Sequence, residues 1–441
     1  MRRILLFSGL WASFLGLAGA QTIPQPPNPE GPTILIRGQL PPPDLYMNEG
    51  LQDYGNLFAN FNGIYDSSLP YATAGPNGTI VQDFGGWGGQ FGAGFNVYHR
   101  LEMGLFYASY SGSYNRFNRP EFKNGTNQSI MAAYSKQLSR RWSARVSENF
   151  LFSDNLGSTY ALVPNSSLFP SVQPYTQTAL LNDTAATLGY QATYRLSYFV
   201  GGDFLASIYR PAQIAGYVGF SGTAGASYRF TARTTLTAAY AASHLDYTDS
   251  GIVSNIQSGT LTLSHMLTRR VQVGLSGGIN AVHSYGVSTI FFQGVPTSYY
   301  AQGYYKQHTL APNYTASIYR TGLRSRFGIT GGEGVSGGNG LFLTSRNLFV
   351  NAQANYQLSR RLSASGQFGY SRLSSIGAAS AGPYGAWTYN FTGGYQLSRH
   401  TFLNASYYGW RYPQYSTISN YNTHRITFGV TFATKDFPLP Y

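Results

Sequence analysis

Two stretches carry the spacing of a nucleophilic serine, Gly274-Leu275-Ser276-Gly277-Gly278 and Gly334-Val335-Ser336-Gly337-Gly338. That pattern works when a sharp strand-to-helix turn lifts the hydroxyl out of the backbone. The first stretch lies inside an alternating strand pattern, and the second lies in a glycine-rich run from Gly331 to Gly340. With 52 glycines in the chain, both matches are expected by chance. The run lacks the lysine and the strand–helix setting of a phosphate loop, so it reads as a flexible loop. Seven histidines are scattered at His99, His244, His265, His283, His308, His400 and His424. No two stand at i, i+2 or i, i+4, so no single element presents an imidazole pair, and they read as interface or lumen residues. Asp246 and Asp249 share one tip, which reads as a solvated turn, with an ion-binding outer loop as the sharper alternative. Cysteine is absent, which excludes disulfides, thiolate metal sites and a lipoprotein anchor. No catalytic, cofactor or metal residue is expected, and the chain does not read as an enzyme.

The elements that carry these residues are strands. From Asn351 to Tyr370, Ala352, Ala354, Tyr356 and Leu358 alternate with Asn351, Gln353, Asn355 and Gln357. A break at Ser359–Arg361 follows, and then Leu362, Ala364, Phe368 and Tyr370 share one face while Ser363, Ser365 and Gln367 share the other. A period of two places the two sets on opposite faces of a strand. The turn recurs: Tyr395-Gln-Leu-Ser-Arg-His400 repeats Tyr356-Gln-Leu-Ser-Arg-Arg361, Gln137-Leu-Ser-Arg-Arg141 carries the same residues, and looser copies stand at Tyr194, Tyr228, Met266 and Tyr319. Each unit holds two strands of about ten residues, a short turn and a longer loop, as in transmembrane barrel hairpins. About eight such turns predict an all-β fold: a transmembrane antiparallel β-barrel of about 16–18 strands, with short periplasmic turns and longer extracellular loops.

Composition agrees. Only 10% of the 441 residues are charged, against about 25% in soluble domains. No stretch beyond the N-terminus is apolar enough for a transmembrane helix. The net charge of +13 raises nucleic acid as a partner, but many cations (Arg140, Arg141, Arg269, Arg270, Arg360, Arg361, Arg399) fall in turns, which reads as a solvated basic rim. Residues 1–20 read as a signal peptide: Arg2 and Arg3, an apolar run from Ile4 to Leu17, and cleavage between Ala20 and Gln21. Residues 21–50 are proline-rich and extended, a periplasmic linker or an arm for a periplasmic partner. The barrel is expected over 51–432, with a tail over 433–441.

Parity picks out the lumen. Gln272, Ser276 and Asn280 face in, as do Arg145, Arg229, Arg195 and Gln367, with Arg324, Arg326, Arg346 and Arg372 as weaker candidates. Inward arginines favour anions in a water-filled pore. The connection from Asp154 to Asp183 is the expected constriction, and a second long loop is expected from Tyr285 to Tyr305. Tyr194, Tyr228, Tyr356 and Tyr395, each just before a turn, fit a periplasmic aromatic girdle, with an aromatic sugar track in the lumen as the alternative. The closing strand puts Ile426, Phe428, Val430 and Phe432 on one face.

That strand resembles the C-terminal signal by which bacterial outer-membrane barrels are recognised for insertion, although Ala433 to Tyr441 follow where the pattern ends on an aromatic. The chain as a whole resembles porin-like outer-membrane barrels of Gram-negative bacteria. The resemblance implies outer-membrane lipid and lipopolysaccharide around the wall, barrel-insertion machinery as a partner, and a homo-oligomer as an option. The expected function is diffusion or facilitated transport of small polar solutes, weakly anion-selective. The alternatives are a substrate-specific exporter, for instance of polysaccharide, that uses the proline-rich arm as a dock, or a plugged structural or surface-binding barrel.

Overall fold

A computed structural model describes residues 54–67, 85–101, 103–118, 124–154, 178–210, 216–247, 250–292, 299–337, 344–376, 383–412 and 421–434. They form 18 strands. In chain order these are β1 (Tyr54–Asp66), β2 (Gly86–Leu101), β3 (Gly104–Phe117), β4 (Gly125–Gln137), β5 (Trp142–Ser153) and β6 (Thr178–Gln191). Then come β7 (Leu196–Arg210), β8 (Tyr217–Thr231), β9 (Thr234–Tyr247), β10 (Ile252–Thr268), β11 (Val271–Phe292) and β12 (Tyr299–Thr321). The rest are β13 (Ser325–Ser336), β14 (Ser345–Gln357), β15 (Leu362–Ser375), β16 (Tyr384–Gln396), β17 (Thr401–Tyr412) and β18 (Tyr421–Ala433). Each strand pairs antiparallel with its neighbours in the chain, and β1 pairs with β18, so the sheet closes into a barrel with no edge.

The recurrent turn residues explain why the chain reverses where it does. Ser359 Oγ accepts the backbone N–H of Arg361 and of Leu362 at 3.2 and 3.1 Å. Ser139 does the same for Arg141 and Trp142, Thr193 for Arg195 and Leu196, and Thr268 for Arg270 and Val271. A Ser or Thr hydroxyl thus satisfies the donors that the reversal frees. The glutamine two residues earlier donates to the carbonyl of the same residue, Gln137 to Ser139 and Gln357 to Ser359, both at 2.8 Å. The arginine that follows projects into water at the short-turn end, which is periplasmic in barrels of this type.

The outer wall is apolar. Leu57, Phe61, Phe91, Val200, Phe220, Leu275, Ile279 and Phe391 point outward and are at least half exposed. Pairs such as Phe61–Phe91 and Phe204–Phe220, with ring centroids 5.0 and 5.2 Å apart, bind adjacent strands across that face. Ile426, Phe428 and Phe432 of the closing strand belong to it, and Val430 shares their parity, opposite Phe61 of β1. Glu148 is an outward carboxylate on this face, and it accepts hydrogen bonds from Asn182 and, at 2.5 Å, from Thr184. At the seam, Arg425 meets Asp66 inside the barrel at 2.5 Å with both side chains buried. Thr434 locks the other end of the seam: its N–H donates to Leu57 O and its hydroxyl accepts from Leu57 N, each at 2.9 Å. Ala433 and Thr434, expected in a tail, therefore complete the wall.

Two connections differ from expectation. β11 and β12 pair continuously from Val271↔Arg320 to Phe292↔Tyr299, so most of the loop expected over Tyr285–Tyr305 is strand. Pro312 lies within β12, and the strand runs through it for 23 residues. β13 pairs with β12 only from Tyr314 onward, so Pro312 has a ladder partner on one side alone, the setting in which proline is tolerated in a sheet. β6 begins at Thr178, so the last part of the expected Asp154–Asp183 loop is wall, and 155–177 lie outside the described residues, as do the expected signal peptide, proline-rich segment and most of the tail.

Candidate functional site

The lumen is built by the inward-facing residues of every strand. Its periplasmic half is polar. Thr262 donates to Ser276 at 3.0 Å, Gln272 donates to Ser264 at 2.9 Å, and the Ser227 and Thr237 hydroxyls are hydrogen-bonded at 2.7 Å. Across β1–β3, Asn96 joins Asn56 to Ser109 in that half, and nearer the extracellular end Asn62 donates to Gln90, which donates to Ser113. Gln367 lies in register with Gln353 and Asn390 on the inner face, and Asn280 is inward and 3% exposed. Both Gly-x-Ser-x-Gly serines sit in strands: Ser276 is held by Thr262, and Ser336 bonds Ser345 at 2.9 Å. Neither stands on a strand-to-helix turn.

Four inward arginines stand within four residues of the short-turn ends of their strands: Arg100 on β2, Arg145 on β5, Arg229 on β8 and Arg326 on β13. Together they place positive charge around the periplasmic mouth. Arg195 does not join them. It is the tip of the turn whose N–H Thr193 accepts, and its guanidinium lies 5.1 Å from the centroid of Tyr194. Arg324 also lies in a turn. Arg346 and Arg372 face outward, because their strands keep the parity of Val350 and Phe368, which are exposed on the outer wall. Arg346 pairs there with Glu333 at 2.6 Å, and Tyr314 donates to the same carboxylate. Two inner carboxylates, Asp183 on β6 and Asp203 on β7, stand farther from the mouth, with Asp203 accepting from Ser221 at 3.2 Å, and Asp66 stands at the far end, paired with Arg425.

On β5–β11 the extracellular half of the lumen is different. Leu151, Leu181, Leu205, Tyr217, Leu245, Tyr247 and Val282 face inward and are at most 1% exposed. The ends of the β13–β14 connection cross the barrel to cover part of this surface. The Tyr247 hydroxyl donates to Gly337 O at 2.9 Å and meets the Thr344 hydroxyl at 3.0 Å. Ser254 reaches the same Thr344 hydroxyl at 2.8 Å and Ser284 at 2.6 Å. β9 and β13 are four strands apart in the sheet, so these bonds span a chord of the lumen. Gly337 must be glycine at this approach, since a Cβ there would stand 2.8 Å from the Tyr217 ring. Gly337 and Thr344, the two ends of the β13–β14 connection, thus lie against the inner face of β9 and β10, while residues 155–177, where the constriction was expected, lie outside the described residues.

The aromatics on the two faces differ in exposure. Tyr228, Tyr356 and Tyr395 are exposed on the outer wall just before short turns, and Tyr194 is 75% exposed within one. Tyr98, Tyr107, Phe402 and Trp410 are buried on the inner face. Asp246 is outward and exposed at the end of β9, and Asp249 lies outside the described residues. Sequence reasoning missed one grouping. Strand register brings His244, Asn255, His283 and His308 into a single row on the outer face of β9–β12. Spacing within each strand holds no sign of it.

No family model matches the chain, and no curated protein matches it. Solved structures similar in fold include the outer membrane protein OpdK of Pseudomonas aeruginosa, 11% identical, covering 87% of this chain and 100% of that one with a TM-score of 0.44. A BenF-like porin from Pseudomonas fluorescens is 10% identical over 87% and 100%, with a TM-score of 0.43. OccAB4 of Acinetobacter baumannii is 10% identical over 88% and 100%, at 0.38. At these identities and scores they carry no weight for what this barrel transports. From its own closure, outer apolar wall and polar lumen, the chain is a porin-like transmembrane β-barrel of the outer-membrane type.

Proposed function

We propose that this barrel is an outer-membrane channel for small polar solutes, with a preference for anionic ones. An 18-stranded barrel is wide enough to hold water rather than a packed core. The observation that carries the preference is the placement of Arg100, Arg145, Arg229 and Arg326 around the periplasmic mouth. A ring of cations in a low-dielectric wall raises the local concentration of anions. Asp183 and Asp203 oppose it deeper in the lumen, so the expected selectivity is weak. Solute hydroxyls and carboxylates would exchange water for the Ser, Thr, Asn and Gln ladder that lines the periplasmic half. Refolding the chain into a planar bilayer and recording single-channel current tests this. Steady open steps with anion preference support the channel.

A second reading has a specific observation behind it. Gly337 and Thr344, the ends of the β13–β14 connection, are held by Tyr247 and Ser254 against the inner face of the extracellular half. A barrel whose remaining bore is filled would be a plugged, surface-binding protein. Silence from a correctly inserted, β-rich sample would favour that reading over the channel.

A further inference from the structure

The row of polar side chains on the outer face of β9–β12 has no part in a lumen. His244 and Asn255 are directly opposite on β9 and β10, Asn255 is opposite His283 on β11, and His283 is opposite His308 on β12. His244 Nδ1 and Asn255 Oδ1 are 2.7 Å apart. The His283 and His308 rings lie with centroids 4.1 Å apart and planes tilted by 53°. All three histidines are exposed. The row sits high on the wall. His244 is ten residues above the start of β9, which at about 3.3 Å per residue and about 40° of tilt puts it about 25 Å up, at the upper margin of the apolar band. Directly below the pair lie Ala281 and Leu310, and Leu310 is 65% exposed to lipid. Directly above it are Tyr285 and Lys306.

We infer that His283 and His308 form a cross-strand chelate for a late first-row divalent cation, Cu2+, Ni2+ or Zn2+, at the level of the outer headgroups. Neutral imidazole nitrogen is a borderline-soft donor that suits these ions over Mg2+ or Ca2+. Two imidazoles on facing positions of paired strands are held at a spacing that one ion can bridge, and the ladder from Val271↔Arg320 upward fixes that spacing. Water would supply the remaining ligands, because the pair is exposed and Ala281, Leu310 and Tyr285 offer no charged donor. Above the pair, β11 and β12 continue as a two-stranded arm to Phe292 and Tyr299, past the ends of β9 and β10. A bound ion would pin the root of that arm.

The test uses the untagged full-length chain refolded in detergent, titrated with Cu2+ and followed by electron paramagnetic resonance. The expected spectrum shows one equivalent of type 2 Cu2+ with splitting from two imidazole nitrogens. His283→Gln and His308→Gln, each on an exposed outer position, should each weaken binding by tenfold or more and remove one nitrogen coupling. His265→Gln, at the opposite end of the wall, should leave both unchanged. Retained heat-modifiable mobility and far-ultraviolet circular dichroism confirm that the variants are folded. The inference is overturned if the wild-type chain binds no Cu2+, or if its stoichiometry and nitrogen couplings survive in the folded His283→Gln and His308→Gln variants.

Discussion

On β5–β11 the two halves of the lumen lie on the same strands and share one parity, yet they are made of different residues. β5 presents Arg145 to the periplasmic half and Leu151 to the extracellular half. β9 presents Thr237 and then Leu245 and Tyr247, and β11 presents Gln272 and Ser276 and then Val282. An inward residue in a water-filled barrel is polar because water is its neighbour. Where the neighbour is another part of the chain, the same parity takes leucine, valine and tyrosine beside serines such as Ser153, Ser207 and Ser254, all at 0–1% exposure. The appearance of buried leucine and tyrosine along a strand marks where the lumen ceases to be wet on that side.

Breaking the packed half should give the largest effects. Tyr247→Ala removes a buried ring and two hydroxyl contacts with the arm. It should cost about 3–5 kcal/mol in urea-unfolding stability in lipid, and it should raise single-channel conductance by freeing the arm. Tyr247→Phe keeps the ring and separates the two contributions, with a cost of about 1 kcal/mol and more frequent current fluctuations. Gly337→Ala acts from the other side of the contact. Its Cβ would stand 2.8 Å from the Tyr217 ring, so the arm must shift, at a cost of about 1–3 kcal/mol measured the same way.

The wet half should respond in selectivity rather than stability. Arg145→Glu with Arg229→Glu reverses two charges at the periplasmic mouth. Unfolding midpoints should move less than for the buried Tyr247, while the reversal potential should swing toward cations. Arg372→Ala is the smallest expected effect. The residue points out of the barrel, so selectivity should be unchanged, and a measurable shift would mean that the parity of β15 is wrong.

The barrel was legible in the sequence because its two signals are local. Alternation along 351–370 gives the faces, and the Ser-Arg turn gives the hairpins, each through bonds spanning two or three residues. The inward placement of Gln272, Ser276 and Asn280 follows from the same alternation on β11. What was not legible depends on contacts between distant strands. Arg346 and Arg372 looked like lumen residues because the serines and asparagines around them blur the alternation, and only register with Val350 and Phe368 places them outside. Arg195 was misplaced by counting strand parity through a turn that Thr193 closes one residue later. The crossing of the β13–β14 arm to Tyr247 spans 90 residues of sequence, and a glycine-rich run reads as loose when its glycine in fact meets a tyrosine ring. The histidine row needs the registers of four strands at once.

The most direct test of the central claim, a water-filled lumen with a basic periplasmic mouth, is the reversal potential of the refolded wild-type barrel under a potassium chloride gradient, read beside the Arg145→Gln, Arg229→Gln double variant. The account predicts open channels whose reversal potential lies on the anion side and moves toward zero when the two arginines are neutralised. A cation-side potential in the wild type, or one that the double variant leaves where it was, would contradict it.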